Sequence, residues 1–405
     1  MNSKPIVAHS VIEYLPFSEN WIYTQIVGLK RFKPLVLTKR ARNLDYFSLD
    51  AVNGEIVEAY ATPWQRVYEK IARKWFYKQY PAYFRTLEKT RPAILHSHFA
   101  QHAYDDLELR HRFHIPHIVS CYGADLWKFA EIGGQRRKYQ VLFSEADVFL
   151  VEGNAMKQRA IDLGCDAKKI RVHHLGIDLR RIKYVPRKPP ADGIVRCLLA
   201  GRAIEKKGMI YGLRAFATVA ARHANVHLTV MTWGEAAYKR RFIREWKQFV
   251  SANGIADRVT WYGLQPYDEY VRITEASHIF IVPSVIASNN DAEGGCPVTA
   301  IELSAAGMPI VGFAHCDIPE VVTDGVSGFL VQEKDVDGLT DRLEQLVTNP
   351  QMWESMGQAG RAHITAQHNA ETQVSRLEDI YLELLEERDD HLRERGSVAA
   401  QSGSP

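Results

Sequence analysis

The sequence predicts an α/β fold built from two tandem doubly wound domains, joined by a short linker and closed by a C-terminal helix. Two observations carry that prediction. Short apolar runs rich in β-branched residues recur along the chain with longer helical patterns between them, as expected of parallel sheets covered on both faces. One segment, Tyr184–Gly193, holds three prolines and a glycine and has no apolar periodicity, so it separates two stretches of similar size.

In chain order, the first stretch carries runs at Ile6–His9, Pro34–Thr38, Ile94–His98, His117–Cys121, Val148–Val151 and Ile170–His173. The second carries Val195–Ala200, His227–Met231, Val259–Tyr262, His278–Val282, Pro309–Gly312 and Gly328–Val331. The expected domains are therefore 1–183 and 194–365, with 184–193 between them. Val374, Leu377, Ile380, Tyr381 and Leu384 stand at helical spacing, so a helix is expected over 366–388, packing back on the first domain. Residues 396–405 are expected to be a disordered tail. Open α/β sheets bind ligands at the carboxyl ends of their strands, so two such domains predict one site in a cleft between them.

Composition excludes several classes. Net charge is +3, so any anion affinity is local. The five cysteines, Cys121, Cys165, Cys197, Cys296 and Cys316, form no C-x-x-C pair and read as reduced, buried thiols of a cytoplasmic protein. The apolar run near the N-terminus is too short for a signal peptide, and no run reaches the roughly 18 residues of a spanning helix. Asp335-Val-Asp337 precedes a helical pattern and reads as a helix cap, so no metal site is expected. The histidine pairs His96/His98 and His173/His174 lack a completing carboxylate or cysteine set and read as core or rim residues, with His98 the best candidate for a role in a site.

Two stretches of the second half carry chemistry. Gly201-Arg202 follows a strand, and Lys207-Gly208 enters a helix. A forked guanidinium and a mobile ammonium five residues apart suit a diphosphate, although a basic surface loop would read the same. Farther on, Pro283-Ser284 ends a strand, and Glu293-Gly294-Gly295-Cys296-Pro297-Val298 leads into a helix containing Glu302. The glycines permit close backbone approach, Pro297 suits a helix start, and free helix amides attract a phosphate or a sugar hydroxyl. Glu302 lies among apolar neighbours, where a carboxylate needs hydrogen bonds such as a ribose diol supplies; the alternative is that it faces solvent.

These residues resemble the family-4 group of retaining glycosyltransferases with the GT-B fold, two Rossmann-like domains around a cleft. The resemblance rests on Gly201-Arg202 with Lys206-Lys207-Gly208, Pro283-Ser284, Glu293-Gly294 with Pro297, and Glu302. His174-Leu-Gly-Ile-Asp178, Ile318-Pro319-Glu320, Asp324-Gly-Val-Ser-Gly328 and the helix at Glu371–Tyr381 add to it. In the first half, Ser18–Ile22, Leu95–Phe99 and Ser120–Asp125 resemble members that build bacterial exopolysaccharide, colanic-acid-like or O-antigen chains, the lipopolysaccharide side chains among them. Two departures stand out. Eight residues separate Glu293 from Glu302 where the family usually has seven, and Tyr122-Gly123 stands where many members carry His-Gly.

The resemblance implies a metal-independent hexosyltransferase that moves a sugar from a nucleotide diphosphate sugar, with a UDP or GDP base, to a glycan or lipid-linked acceptor with retention of configuration. It implies no cofactor. Arg202, Lys207, Glu293 and His98 would be catalytic. Gly201, Arg202, Lys207, Glu293, Gly294, Gly295, Cys296, Pro297, Val298 and Glu302 would hold the donor. Ser18, Asn20, Tyr122, Gly123 and Asp125 would face the acceptor. The alternatives are another nucleotide-sugar chemistry on the same fold, epimerase- or phosphorylase-like, and a non-catalytic sugar-binding subunit. No G-x-G-x-x-G follows a strand and Gly201–Gly208 lacks a Lys-Ser/Thr ending, which opposes dinucleotide and P-loop readings.

Between Arg66 and Arg91 eight cations stand against Glu69 and Glu88, with Trp64, Tyr68, Trp75, Phe76, Tyr77, Tyr80, Tyr83 and Phe84 interleaved. This 64–91 stretch suits an anionic membrane surface, which would make the protein peripheral at the inner face of the plasma membrane; alternatively its aromatics fill the core. No nucleic-acid module surrounds it.

Overall fold

The computed structural model describes residues 4–401, which divide into two compact units: unit 1 runs to 151 and takes in 157–176 and the chain from 370 on, and unit 2 is 152–156 with 177–369. Unit 1 is built on β1 Ile6–Tyr14, β2 Lys33–Ala41, β3 Glu55–Glu58, β4 Ile94–His98, β5 His117–Ser120, β6 Val148–Val151 and β7 Ile170–Val172. Its helices are α1 Asn20–Gly28, α2 Pro63–Trp75, α3 Pro81–Thr90, α4 Ala100–Phe113, α5 Gln135–Glu145 and α6 Asn154–Asp162, which begins inside the short 152–156 stretch of the other unit. Unit 2 carries β8 Val195–Arg202, β9 Val226–Trp233, β10 Val259–Tyr262, β11 Ile279–Val282, β12 Ile310–Phe313 and β13 Gly328–Val331. Its helices are α7 Met209–Arg222, α8 Ala237–Ala252, α9 Tyr267–Glu275, α10 Val298–Ala305, α11 Val336–Thr348 and α12 Trp353–Gln367; α13 Ala370–Gln401 returns to unit 1.

Both sheets are wholly parallel, ordered β3-β2-β1-β4-β5-β6-β7 and β10-β9-β8-β11-β12-β13. The order is that of doubly wound sheets, in which connections reverse direction beside the first strand, here between β1 and β4 and between β8 and β11. Ligands bind at the carboxyl ends flanking such a reversal. Every expected apolar run forms a strand. The strand the run pattern missed, β3, reads Glu-Ile-Val-Glu at the sheet edge, with no residue fully buried. Pairing with β2 makes it a strand where its own composition does not.

Three boundaries differ from expectation. The chain leaves unit 1 after Gly176, not at 183, and residues 184–193 belong to unit 2. That stretch is pinned: Val185 N–H donates to the Ala306 carbonyl at 3.0 Å. The buried Arg187 guanidinium donates to the carbonyls of Thr274, Glu275 and Ser277 at 3.1, 2.7 and 2.8 Å. Proline sets the extended backbone, and the carbonyls that Arg187 satisfies hold it against the unit. The final helix starts at Ala370, because α12 ends at Gln367 and is followed by a break at His368–Asn369. It also continues to Gln401, through part of the expected tail; residues 402–405 lie outside the described residues.

The α13 helix is part of the unit 1 core. Val374, Leu377, Tyr381 and Leu384 are buried against Val7, Phe32, Ile94 and Ile118, and Ile380 is half-buried. Burial of such side chains stabilises by about 1.5–3 kcal/mol each. Glu378 fixes the register, accepting from the Lys30 and Arg31 backbone N–H groups at 2.7 and 2.5 Å. No helix among the described residues is long and apolar enough to cross a membrane. All five cysteines are free. Asp335 caps α11, accepting from Gly338 N–H at 2.9 Å.

Candidate functional site

The expected donor residues of unit 2 gather in the two loops that flank the sheet reversal. The first loop leaves β8 at Arg202, makes one tight turn at Glu205–Lys207, and enters α7 through Gly208. Gly208 has φ +59°, and a Cβ there would lie 1.7 Å from the Pro283 carbonyl oxygen, so only glycine lets this loop touch the end of β11. The second loop leaves β11 and is stapled to the first. Val285 N–H donates to the Lys206 carbonyl at 2.9 Å, and Ser288 bonds Glu205 through its N–H and its hydroxyl at 2.9 and 2.7 Å.

At the junction sits a buried charge cluster. Lys207 Nζ lies 2.9 Å from Glu293 Oε1, and Ser284 Oγ donates to the same oxygen at 3.0 Å. Lys206 Nζ donates to the Ala292 carbonyl at 2.8 Å and lies 3.1 Å from Asp291 and 3.9 Å from Glu293. Burial works to raise the Glu293 carboxyl, but the two ammonium groups outweigh it and hold the group at about 2. Burial lowers the Lys207 ammonium, helped by Lys206 and Arg202 and opposed by Glu293. The Glu293 backbone is fixed as well: its N–H donates to His315 Nε2 at 3.3 Å, while His315 Nδ1 meets Glu333 at 2.8 Å. Those partners assign the proton to Nδ1. Arg202, at the end of β8, has no acceptor for its guanidinium among the described residues, which leaves it available to an anion.

The glycine pair continues the loop. A Cβ on Gly295 would fall 1.4 Å from Glu152 Oε2, so the backbone passes directly over that carboxylate. Gly294 accepts from the Asp317 N–H at 3.3 Å. Burial pushes the Asp317 carboxyl up to about 7 against the hydrogen bond it accepts from Ala155 N–H at 2.7 Å. Cys296 is buried, and Pro297 precedes α10; the Ala300 and Ile301 N–H groups donate to the Pro297 carbonyl at 2.8 and 3.3 Å, which leaves the Val298 and Thr299 amides as the helix start without an intrahelical acceptor. Glu302 follows, slightly more than one turn in. Burial pushes its carboxyl up to about 7, against one long hydrogen bond from Tyr270 Oη at 3.4 Å and the charge of Arg181. Little else satisfies it, which is the state of a carboxylate that awaits donors.

In unit 1 the expected residues lie at the carboxyl ends of three strands: Ser18 and Asn20 follow β1, His98 ends β4, and Tyr122, Gly123 and Asp125 follow β5. Ser18, in the turn Phe17–Glu19, and Asn20, at the start of α1, are exposed. Tyr122 is half-buried, packed against Trp21 and Phe99 with ring centroids 5.8 and 4.8 Å away. Two assignments change. His98 is fully buried, Nδ1 bonded to the Tyr122 hydroxyl at 2.7 Å and Nε2 to His9 Nδ1 at 3.1 Å. A ring enclosed this way positions Tyr122 and does not itself meet a substrate. Asp125 is also fully buried; its carboxylate accepts from the N–H groups of Ala100, Tyr122 and Leu126 at 3.1–3.2 Å, shaping the Gly123 turn without facing an acceptor.

His9, His96 and His98 form the one group of near-contact metal-ligand types among the described residues. His96 bonds Tyr381 and Ser120 at 2.6 and 2.8 Å, so five of the six ring nitrogens have partners and only His9 Nε2 is unmatched. The His96 and His98 rings stack with centroids 4.5 Å apart, and the hydrogen bonds tie the group into the polar core of unit 1. Lys206 and Ser284 stand within the sequence motifs without an assigned role, and sequence reasoning did not reach His315 or Tyr270. The Lys206-Lys207 doublet and Pro283-Ser284 were visible signals; nothing in the sequence links His315 or Tyr270 to the site.

Known proteins agree with this architecture. Residues 195–349 match the family model described as "Glycosyl transferases group 1", and residues 31–181 match "Glycosyltransferase Family 4". The chain is 26% identical over 263 residues to the amylovoran biosynthesis glycosyltransferase AmsK of Erwinia amylovora, covering 65% of this chain. It spans 63% of AmsK's length and 53–54% of that of further curated relatives. Among solved structures, sucrose-phosphate synthase of Thermosynechococcus elongatus superposes with a TM-score of 0.74 at 16% identity, covering 94% of this chain and 99% of that one. Anabaena HepE, solved with UDP and glucose, gives 0.74 at 14% identity, covering 93% and 99%. At these identities the superpositions establish the fold.

Proposed function

Because the chain belongs to the family-4 glycosyltransferases with the GT-B fold, we propose that it transfers a hexose from a UDP- or GDP-sugar to a glycan or lipid-linked acceptor, with retention, in cell-surface polysaccharide synthesis at the inner face of the plasma membrane. The observation that carries this reading is the junction of the two unit 2 loops. There a guanidinium with no acceptor among the described residues, an ammonium paired with Glu293, a glycine backbone and a helix start lie on adjoining loops, and the helix carries Glu302, a carboxyl raised to about 7.

Breaking the anomeric bond leaves negative charge on the departing diphosphate. Arg202, Lys207 and the α10 amides stabilise that charge as preorganised donors, in the role a metal ion fills elsewhere. Glu302 accepts from the ribose hydroxyls, and Glu293 with the backbone of 294–298 orients the sugar. Double displacement would need a free carboxylate nucleophile. Glu293 is the carboxylate nearest to hand, yet Lys207, Ser284 and Lys206 surround it. That enclosure favours attack on the face the leaving group departs from, with a phosphate oxygen taking the acceptor proton. The exposed Ser18 and Asn20 and the hydroxyl of Tyr122 are assigned to the acceptor.

Two results test the reading. A panel of UDP-, GDP- and ADP-sugars should yield one base that raises the melting temperature, since a ligand at about 100 times its dissociation constant adds about 2.7 kcal/mol. No stabilisation by any of them, together with no turnover, removes the donor assignment. Transfer should also continue in excess EDTA; loss of activity restored by a divalent ion would transfer the leaving-group role from Arg202 and Lys207 to a metal.

A further inference from the structure

The basic and aromatic stretch expected over 64–91 divides in the fold. On α3 and its approach, Tyr80, Tyr83 and Phe84 are buried with Leu35, Leu37 and Leu95, so those aromatics belong to the core. On α2 the reverse holds. Trp64 is 84% exposed, Trp75 70%, and Val67, Tyr68 and Ile71 each more than half. Phe76, just past the helix, is 77% exposed.

At 3.6 residues per turn, Val67, Ile71, Trp64, Trp75 and Tyr68 fall in one arc about 100° wide. Lys74, Lys70 and Arg66 follow around the helix beyond Val67, and none has a carboxylate partner among the described residues. The remaining face anchors α2 to the unit. Ala72 is buried there, and the buried Glu69 accepts from Ala82 N–H at 3.2 Å and pairs with Arg85 at 3.3 Å. Arg73 pairs with Asp105 and donates to the Lys78 carbonyl at 2.7 Å. Thr62 caps the helix through Gln65 N–H at 3.2 Å. The helix is thus held mainly by its other face, and every member of the apolar stripe stays at least half exposed.

Soluble surfaces rarely leave a contiguous aromatic stripe uncovered. Tryptophan and tyrosine beside lysine and arginine are the composition of a helix lying in a bilayer interface, rings at the headgroup level and cations on anionic lipid. We propose that α2 is a membrane-docking helix, and that its occupant is the surface of an anionic phospholipid bilayer. The flanking charge selects this occupant: Arg66, Lys70 and Lys74, without carboxylate partners among the described residues, form a positive edge complementary to lipid phosphate. A second copy of the same face would set those cations against themselves. Docking does not depend on the transfer chemistry and is measured without donor or acceptor.

The test uses the full chain with phosphatidylglycerol-rich vesicles and with phosphatidylcholine vesicles. Wild type should sediment with the first and not the second, and high salt should weaken binding. Trp64→Ser/Tyr68→Ser/Trp75→Ser should lower vesicle affinity by about a hundredfold. Lys70→Glu/Lys74→Glu should lower it by about tenfold or more, with a smaller salt dependence. Both variants should keep the wild-type circular dichroism and the stabilisation by nucleotide sugar, since none of these side chains is buried. Unchanged vesicle affinity in the serine variant overturns the proposal. So does a wild-type dimer that the serine changes dissociate while vesicles go unbound, which would make α2 a self-association face.

Discussion

Arg202→Ala is expected to leave the melting temperature within a degree or two of wild type and to lower kcat/KM by about two to three orders of magnitude. The two halves of that result have separate origins. The guanidinium has no hydrogen-bond acceptor or carboxylate partner among the described residues, so its removal costs the folded state little. In the reaction it is one of few donors aimed at a leaving diphosphate, and loss of one such donor typically costs about 3–4 kcal/mol of transition-state stabilisation.

Lys207→Ala should behave differently although it loses a similar charge. Its ammonium is the 2.9 Å partner of the buried Glu293 carboxylate. Removing one member of a buried pair costs about 3–5 kcal/mol, and Lys206 at 3.9 Å offsets only part of that. The variant should lose stability and activity together. Glu293 is held at about 2, below its ordinary 4.5. Its stabilisation is therefore present above about pH 4.5 and is lost as pH falls from there toward 2. In Lys207→Ala that acid-side dependence should shrink. Kinetics and melting curves on both single variants and the double variant check this. If the double variant turns over normally, the diphosphate is held elsewhere.

How much of this was legible in the sequence follows from what each feature depends on. The parallel strands are buried on both faces, so their apolar runs announce them; β3, an edge strand with glutamates at its ends, is made by its neighbour. The proline-rich stretch was recognisable as a break, but Arg187 decides where it lies, through carbonyls more than eighty residues away in sequence. At the site, residue types and spacing pointed to Arg202, Lys207, Glu293 and Glu302. Orientation was not available: His98 and Asp125 have the right chemistry and are spent on a tyrosine hydroxyl and a backbone turn. The 64–91 stretch shows the same limit. α2 and α3 share a basic, aromatic composition, and only packing determines that one fills the core while the other faces water.

Glu302→Gln should give the second large effect, with stability and binding moving in opposite directions. Burial raises the Glu302 carboxyl from 4.5 to about 7. A raised carboxyl takes up a proton on folding, so its contribution to stability falls as pH rises from about 4.5 through 7. Near pH 8 the wild-type protein without ligand holds a poorly solvated anion, at a cost of up to about 3 kcal/mol. Glutamine keeps the shape and removes that charge, so the variant should melt higher than wild type near pH 8, and the difference should vanish below about pH 4.5. Asp317, also raised to about 7, contributes the same trend to both proteins and cancels in the comparison. The donor reverses the sign. Two ribose hydroxyls donating to an ionised carboxylate form charge-assisted bonds worth about 1.5–3 kcal/mol, which a neutral amide does not match. Nucleotide-sugar affinity should therefore fall by about 10- to 100-fold in Glu302→Gln, and wild-type affinity should rise with pH through about 7 while that of the variant stays flat. Calorimetric titration from pH 6 to pH 8 reads both slopes. A variant that binds the nucleotide as tightly as wild type at pH 8 would mean the ribose rests on another group, and the strained carboxyl of α10 would need a different partner.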